Sequence, residues 1–246
     1  MAAGCSAGSA AAVSLSNAVF CCDDLSGNQI VLSGPEGRHA AAVRRIRVGE
    51  VVDLVDGRGT RCTCEVVAVG RDSLTCQVTA RGFEPQPQPR LTLVQALAKG
   101  GRGELAVELA TEVGVDEIVP WAAARSIVKA SKPLDRWEAT AREAAKQSRR
   151  SWFPVITSPM TTAQVIELPV QLLVLHEGAS MRLSDCPLPV GDLGLVVGPE
   201  GGISPEELAA LQEAGAAVVR LGGSVLRTST AGAVAAALVS ARTGRW

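Results

Sequence analysis

Three short runs in the last third of the chain carry the residue types from which a reactive site could be built. They are His176-Glu177-Gly178, Gly198-Pro199-Glu200-Gly201-Gly202, and the stretch from Gly222 to Thr230 that contains Arg227 and Thr228. Each follows a short apolar run, at 171–175, 193–197 and 217–221. Glycine opens backbone conformations closed to other residues and lets a ligand approach main-chain amides. A carboxylate, an imidazole and a guanidinium beside such loops can handle a proton or stabilise developing charge. Taken singly, each run has a plainer explanation. Gly198–Gly202 reads as a turn before a helix, His176 as a satisfied histidine at a strand end, and Arg227 as a surface side chain ahead of a helix capped by Thr228 or Thr230. Their occurrence together at three strand ends sets them apart. Other chemistries are excluded: no Gly-Lys-Ser/Thr or Gly-x-Gly-x-x-Gly run is present, and no expected strand runs into a Gly-x-Ser-x-Gly nucleophile turn. The seven cysteines contain no Cys-x-x-Cys and only two histidines accompany them. No metal site is expected, and the cysteines read as reduced cytosolic thiols.

Those strand ends need a frame. Residues 90–246 alternate strand and helix, with strands at Leu91–Leu97, Glu117–Trp121, Gln171–Leu175, Leu193–Val197 and Ala217–Leu221. Helices are expected over Glu104–Val113, where Leu105, Leu109 and Val113 share a face, over Lys132–Arg150, and over Pro205–Ala214. The last is punctuated by Ser204 as N-cap, Glu207 completing a capping box, and Gly215 as stop. The pattern implies an α/β fold with a mostly parallel sheet flanked by helices, and in such sheets ligands bind beyond the carboxyl ends of the strands. Residues 18–83 hold shorter alternating runs at Gln29–Leu32, Val51–Val55, Cys62–Val69 and Ser73–Val78, with a helix over Gly37–Arg47, and suggest a small β-barrel. Residues 84–89, with Pro85, Pro87 and Pro89, form a stiff linker. Residues 1–17 carry no charge and read as a disordered tail. No run is long and apolar enough to span a membrane, so a cytoplasmic protein without a membrane partner is expected.

A net charge of −1 argues against a protein that coats nucleic acid nonspecifically, but charge is local. Arg38, His39, Arg44, Arg45 and Arg47 cluster in the amino-terminal half. In the expected helix 132–150, Arg142, Lys146, Arg149 and Arg150 fall at helical spacing on one face, followed by Trp152, which could stack on a base. Such a face is commonly just solvated; here it is a candidate phosphate-tracking surface.

The run LVVGPEGGISPEEL followed by LGGSVLRTSTAGAVAAAL resembles the RsmE family of 16S rRNA uracil-N3 methyltransferases. QALAKGGRGELAVELATEVGVDEIVPWAAARSIVK, AREAAKQSRR, LVLHEGA, GPEGRHAAAVRRIRVGE and VDGRG are similar to the same family, in order, over nearly everything after residue 18. The resemblance implies an amino-terminal PUA-like RNA-binding barrel and a carboxyl-terminal SPOUT domain with a deep trefoil knot, an exception to ordinary chain topology. It implies a homodimer that uses S-adenosyl-L-methionine and acts on 16S rRNA of the small ribosomal subunit. The backbone around Leu175, Gly198, Gly202, Leu221 and Leu226 would then cradle the adenosyl group, joined by His176, Gly201 and Thr228. Arg227 is the candidate to stabilise charge on the uracil, and Glu200 to orient the base or accept its proton. The chain departs from the family pattern at Ser224, where an arginine is frequent, at Gly101, where an acid is usual, and at Ser229 within Thr228-Ser229-Thr230. Two other readings follow: a SPOUT methyltransferase acting on tRNA or a ribose hydroxyl, and a non-catalytic RNA-binding or ribosome-assembly factor.

Overall fold

The computed structural model describes residues 17–127 and 135–246. The tail expected over 1–17 lies outside the described residues except for Asn17, as do positions 132–134 of the expected basic helix. The chain divides into two compact units. One comprises the chain up to Pro85 together with Arg149–Trp152, the other Gln86–Ser148 and Phe153–Trp246.

The first unit is a five-stranded sheet of β1 (Ala18–Cys21), β2 (Gln29–Leu32), β3 (Val51–Val55), β4 (Thr60–Val69) and β5 (Leu74–Phe83), in the order β1-β3-β4-β5-β2. The β1–β3 pairing is parallel and the other pairings are antiparallel. The inward residues alternate with solvent-facing ones, so Phe20, Leu32, Leu54, Cys62, Cys64, Leu74 and Cys76 make one core. Burial pushes the Cys64 thiol up to about 12 and the Cys76 thiol up to about 11, so both serve as neutral apolar side chains. The single helix expected over Gly37–Arg47 is instead two pieces: α1 (Gly34–Arg38), started by Pro35, and a π-helical turn at His39–Val43. Arg45, with φ of 54°, lies beyond its end.

A buried ionic cluster ties a remote segment into this unit. Arg61 donates from Nη1 to Asp53 Oδ2 at 3.1 Å, from Nε to Glu84 Oε1 at 2.9 Å, and from Nη2 to the Arg149 carbonyl at 2.7 Å. Thr63 donates to the other Asp53 oxygen. The Gly59 amide donates to the Ser151 carbonyl, and Trp152 Nε1 donates to the Glu84 carbonyl at 2.8 Å while its ring meets Phe83 edge-to-face. Only a glycine fits beside that indole: a Cβ on Gly59, whose φ is +99°, would stand 2.8 Å from the ring.

The second unit is a six-stranded, wholly parallel sheet in the order β11-β9-β10-β6-β7-β8. Its strands are β6 (Leu91–Ala96), β7 (Glu117–Trp121), β8 (Val155–Ile156), β9 (Gln171–Leu175), β10 (Leu193–Val197) and β11 (Ala217–Val219). Its helices are α2 (Arg102–Glu112), α3 (Asp135–Gln147), α4 (Thr162–Ile166), α5 (Pro205–Glu213) and α6 (Thr228–Thr243). Every residue of β6 and β10 is buried, as strands covered on both faces require. Successive side chains alternate between two apolar cores: Leu91, Leu93, Leu193 and Leu195 join one with Val107 and Ala235, while Val94, Val174 and Val196 join the other with Val165 and Leu211. Helix α6 lies so close to β6 that a Cβ on Gly232 would stand 2.8 Å from Leu93 Cδ1. Near the carboxyl end, Arg245 forms a buried ion pair with Asp116 at 3.0 Å and donates to the carbonyls of Pro87, Pro89 and Gly114, which holds the proline-rich segment down.

Removing one partner of a buried ion pair strands the other. Arg61→Met is therefore expected to cost about 3 kcal/mol in urea unfolding, and adding Asp53→Asn should recover most of that loss. A single variant as stable as the parent would show that the cluster does not hold the unit together.

Candidate functional site

Three loops converge at the carboxyl edge of the parallel sheet. They follow β9, β10 and β11, the central and edge strands on one side of the order. Between them lies a cavity of about 350 Å³ lined by Leu175, His176, Glu177, Val197, Gly198, Pro199, Glu200, Gly202, Ile203, Val225, Leu226, Arg227, Thr228, Ala231 and, from the start of α2, Arg102. A second cavity of about 200 Å³ adjoins it, sharing Leu175, His176, Glu177, Val225, Leu226 and Ala231 and adding Leu221, Gly222, Gly223 and Ser224. The structure thus brings together at these two cavities every residue named from sequence as cofactor-binding or catalytic except Gly201. That residue sits in the same loop, its carbonyl accepting a bond from Arg125 Nη1 at 3.1 Å. Apolar walls with main-chain polar groups suit a small organic ligand. At Gly222 and Gly223 no atom lies within 4 Å of where a Cβ would stand, so their backbone faces open space.

The loops are shaped by named interactions. Pro199 and Gly202 close a turn, with the Gly202 amide donating to the Pro199 carbonyl at 2.9 Å and Gly202 at φ of +74°. The expected capping box is present: the Ser204 hydroxyl accepts from the Glu207 amide, and the Glu207 carboxylate accepts from the Ser204 amide. Glu207 is almost fully buried and its Oε1 also accepts from the Ala124 amide and the Thr162 hydroxyl, both at 2.8 Å. One carboxylate therefore pins the loop after β10, the segment after β7 and the start of α4. The Thr228 hydroxyl donates to the Gly198 carbonyl at 2.7 Å and accepts from Gln95 Nε2 at 2.9 Å. Gln95 is fully buried near the end of β6, and its Oε1 has no hydrogen-bond partner among the described residues.

The charged groups fall into distinct arrangements. Glu200 Oε1 accepts from Arg102 Nη1 at 3.1 Å and from the Lys99 amide at 3.4 Å. Its carboxylate is one quarter exposed and already occupied by a guanidinium. Arg227 is the N-cap residue of α6, and its exposed guanidinium makes no hydrogen bond or ion pair among the described residues. His176 Nδ1 accepts from the Gly178 amide at 3.0 Å, so a neutral ring carries its hydrogen on Nε2. Gln95, Arg102 and Glu177 were not singled out as site residues from sequence. The Lys99-Gly100-Gly101-Arg102 motif was a signal for Arg102, whereas Gln95 is hidden in an apolar run. No group of histidine, cysteine or acidic residues among those described could hold a metal ion.

The basic residues sort differently. Arg38, Arg44, Arg45 and Arg47 are exposed on one stretch of the first unit, where Ile46 is buried between its two arginine neighbours. Arg38 pairs with Asp72 at 3.5 Å, and His39 packs edge-to-face on Phe20. The four-cation helix face expected from Arg142, Lys146, Arg149 and Arg150 does not form. Helix α3 ends at Gln147, the Arg149 backbone turns left-handed at φ of 56°, and Arg149 and Arg150 belong to the first unit. Lys146 is buried and pairs with Glu143 at 2.7 Å, and of the four only Arg142 remains exposed on the helix. The Trp152 side chain, with its N–H donated to the Glu84 carbonyl and its ring against Phe83 and Gly59, acts as a structural wedge within the first unit.

Because the nearly buried Glu207 carboxylate accepts from three separate segments, one donor being on a buried residue, Glu207→Ala is expected to cost about 2 kcal/mol in denaturant unfolding. Glu207→Gln, which keeps an acceptor, should lose less than half of that. Equal and small losses in both variants would remove Glu207 from the role of pin.

Comparison with known proteins places this geometry. Residues 84–240 match the family model described as RNA methyltransferase domain, and residues 32–79 match the RNA methyltransferase PUA domain. A ribosomal RNA small subunit methyltransferase E of Mycobacterium tuberculosis is 49% identical over 229 residues, covering 88% of this chain and 87% of its own length. Among solved structures, a putative methyltransferase from Legionella pneumophila in complex with the bound cofactor SAM superposes with a TM-score of 0.84 at 28% identity, over 92% of this chain and 98% of that one. Ribosomal RNA small subunit methyltransferase E from Neisseria gonorrhoeae, bound to S-adenosyl methionine, gives 0.83 at 26% identity over the same shares. On the strength of both its sequence and its fold, the chain belongs to the ribosomal RNA small subunit methyltransferase E family.

Proposed function

We propose that this protein methylates N3 of a uridine in 16S rRNA of the small ribosomal subunit, using S-adenosyl-L-methionine. The observation that carries this reading is the cavity at the sheet's carboxyl edge, where three glycine-bearing loops meet beside an uncommitted arginine. The residues suit the donor: Leu175, Val197, Leu226 and Ala231 offer apolar walls, Gly198, Gly202, Gly222 and Gly223 expose main chain, and Glu177 offers a negative charge to a cationic ligand. S-adenosyl-L-methionine supplies a methyl group already activated on sulfur. The chain must align the base and exclude water. For methylation at N3, the N3–H proton passes to solvent and the electron pair left on nitrogen, with its negative charge, spreads towards the flanking uracil oxygens. That pair then takes the methyl carbon as its bond to sulfur breaks, the electrons of that bond staying on sulfur. Arg227 can meet that charge because its guanidinium stays protonated and nothing else occupies it. Glu200, held by Arg102 and the Lys99 amide, positions rather than accepts the proton.

Contact with RNA is assigned to the first unit through Arg38, Arg44, Arg45 and Arg47, with Arg142 on α3. Exposure of these cations supports that reading, since phosphate contacts need accessible charge. The family resemblance further implies a carboxyl-terminal trefoil knot and a homodimer, and the reduced-thiol reading of the cysteines supports a cytoplasmic setting. The exposed Val225 and Leu226 at the cavity rim are consistent with a partner surface. Among the described residues, no helix is long and apolar enough to cross a membrane.

Incubation with S-adenosyl-L-methionine and small subunits lacking the modification should yield 3-methyluridine on mass spectrometry of digested rRNA. Cofactor binding without that product would mean a different RNA target, and loss of both would favour a non-catalytic assembly factor. Arg227→Ala should lower turnover by about 100-fold or more with little change in cofactor affinity. Near-normal turnover would take Arg227 out of the mechanism.

A further inference from the structure

A methyl transfer needs two adjoining spaces, and a second space shares the Arg102–Glu200 ion pair with the donor cavity. This cavity, of about 330 Å³, is lined by Lys99, Gly100, Arg102, Ile127 and Glu200, and it shares Arg102 and Glu200 with the donor cavity. We propose that it is the acceptor subsite, taking one unpaired uridylate of the RNA with its phosphate on Lys99 and its apolar face against Ile127. The inference rests on the methyltransferase reading and names where that reading's substrate sits.

Charge and exposure argue for an anionic, partly apolar occupant. The Arg102 and Glu200 charges offset each other at 3.1 Å, and among the described residues no other acid lines the cavity. That leaves Lys99 as its net charge, exposed and without an ion pair among the described residues. Ile127 is 68% exposed and offers an apolar face beside that cation. A nucleotide presents these two chemistries together, a charged phosphate and a flat base or sugar face. Glu200 has a part in both spaces. By holding the Lys99 amide and the Arg102 guanidinium, it ties the loop after β10 to the segment leading into α2. Donor and acceptor spaces are thereby kept in fixed register, which is the condition for an aligned transfer.

The test uses the intact protein with Lys99→Ala, Lys99→Arg and Ile127→Ala, none of which alters a donor-cavity residue. Two quantities are read: methylation of unmodified small subunits at several salt concentrations, and binding of uridine 5′-monophosphate to cofactor-saturated protein by ligand-observed NMR. Lys99→Ala should raise the acceptor KM about tenfold, reduce the salt slope by about 1, and abolish uridylate binding, while cofactor Kd stays within about twofold; Lys99→Arg should restore most of it. Ile127→Ala should weaken uridylate binding without changing the salt slope. Unchanged acceptor KM and uridylate binding in both Lys99→Ala and Ile127→Ala would overturn the subsite while leaving the methyltransferase reading intact. So would a loss confined to cofactor affinity. Lys99-dependent uridylate binding in a protein that does not methylate rRNA would do the reverse.

Discussion

The site depends on a single hydroxyl with only one proton to give. Thr228 commits that proton to the Gly198 carbonyl, so it must accept from Gln95, and the direction of the whole relay is fixed. Three pieces of chain meet at it: the end of β6, the loop after β10 and the first turn of α6. The end of β6 is already ordered by its ladders to β10 and β7, whereas the loop after β10 lies beyond the ladder and gains from this contact a fixed spacing to the strand end. The apolar surroundings strengthen the relay and make its loss costly, since a buried amide or carbonyl left unpaired carries a desolvation penalty.

Around that relay Glu207 and Glu200 hold different posts. Glu207 is buried, takes donors from three segments and serves the frame. Glu200 is partly exposed and takes a guanidinium, so it serves the boundary between spaces. With both acids committed, the unpaired Arg227 stands out as the group able to respond to charge that appears only during reaction. The turn closed by Gly202 stands between Glu200, in the loop after β10, and Glu207, in the first turn of α5.

Much of this was legible in the sequence where local pattern and tertiary demand agree. Strands β7, β9 and β10 fall at the expected residues because short apolar runs bounded by turn formers have no other way to be covered. Helix α5 carries its own punctuation in Ser204, Glu207 and Gly215. Where the fold overrides local pattern, the reading failed. The basic helix continues in periodicity through Arg150, but Arg61 takes the Arg149 carbonyl and Gly59 admits Trp152, so the chain leaves the helix. Periodicity groups residues by type and does not see accessibility, which is why Lys146 was grouped with Arg142 although it is buried. Gln95 left no local signal: a polar residue near the end of an apolar strand gives no hint of its partner 133 positions away. Three short elements, β1, β8 and α4, were missed although Thr161 and Gln164 spell a capping box at the start of the last.

The assignment of Arg149–Trp152 to the first unit bears on how such a protein can be inherited. A gene cut at the proline-rich segment would separate Trp152 from Phe83 and Glu84, and the Arg149 carbonyl from Arg61. The carboxyl-terminal fragment would then display an indole and several backbone groups whose partners were left on the other piece. Recombination at that junction is therefore not a clean exchange of modules. The two halves must be passed on together, and residues on one side of the cut can change only in step with residues on the other.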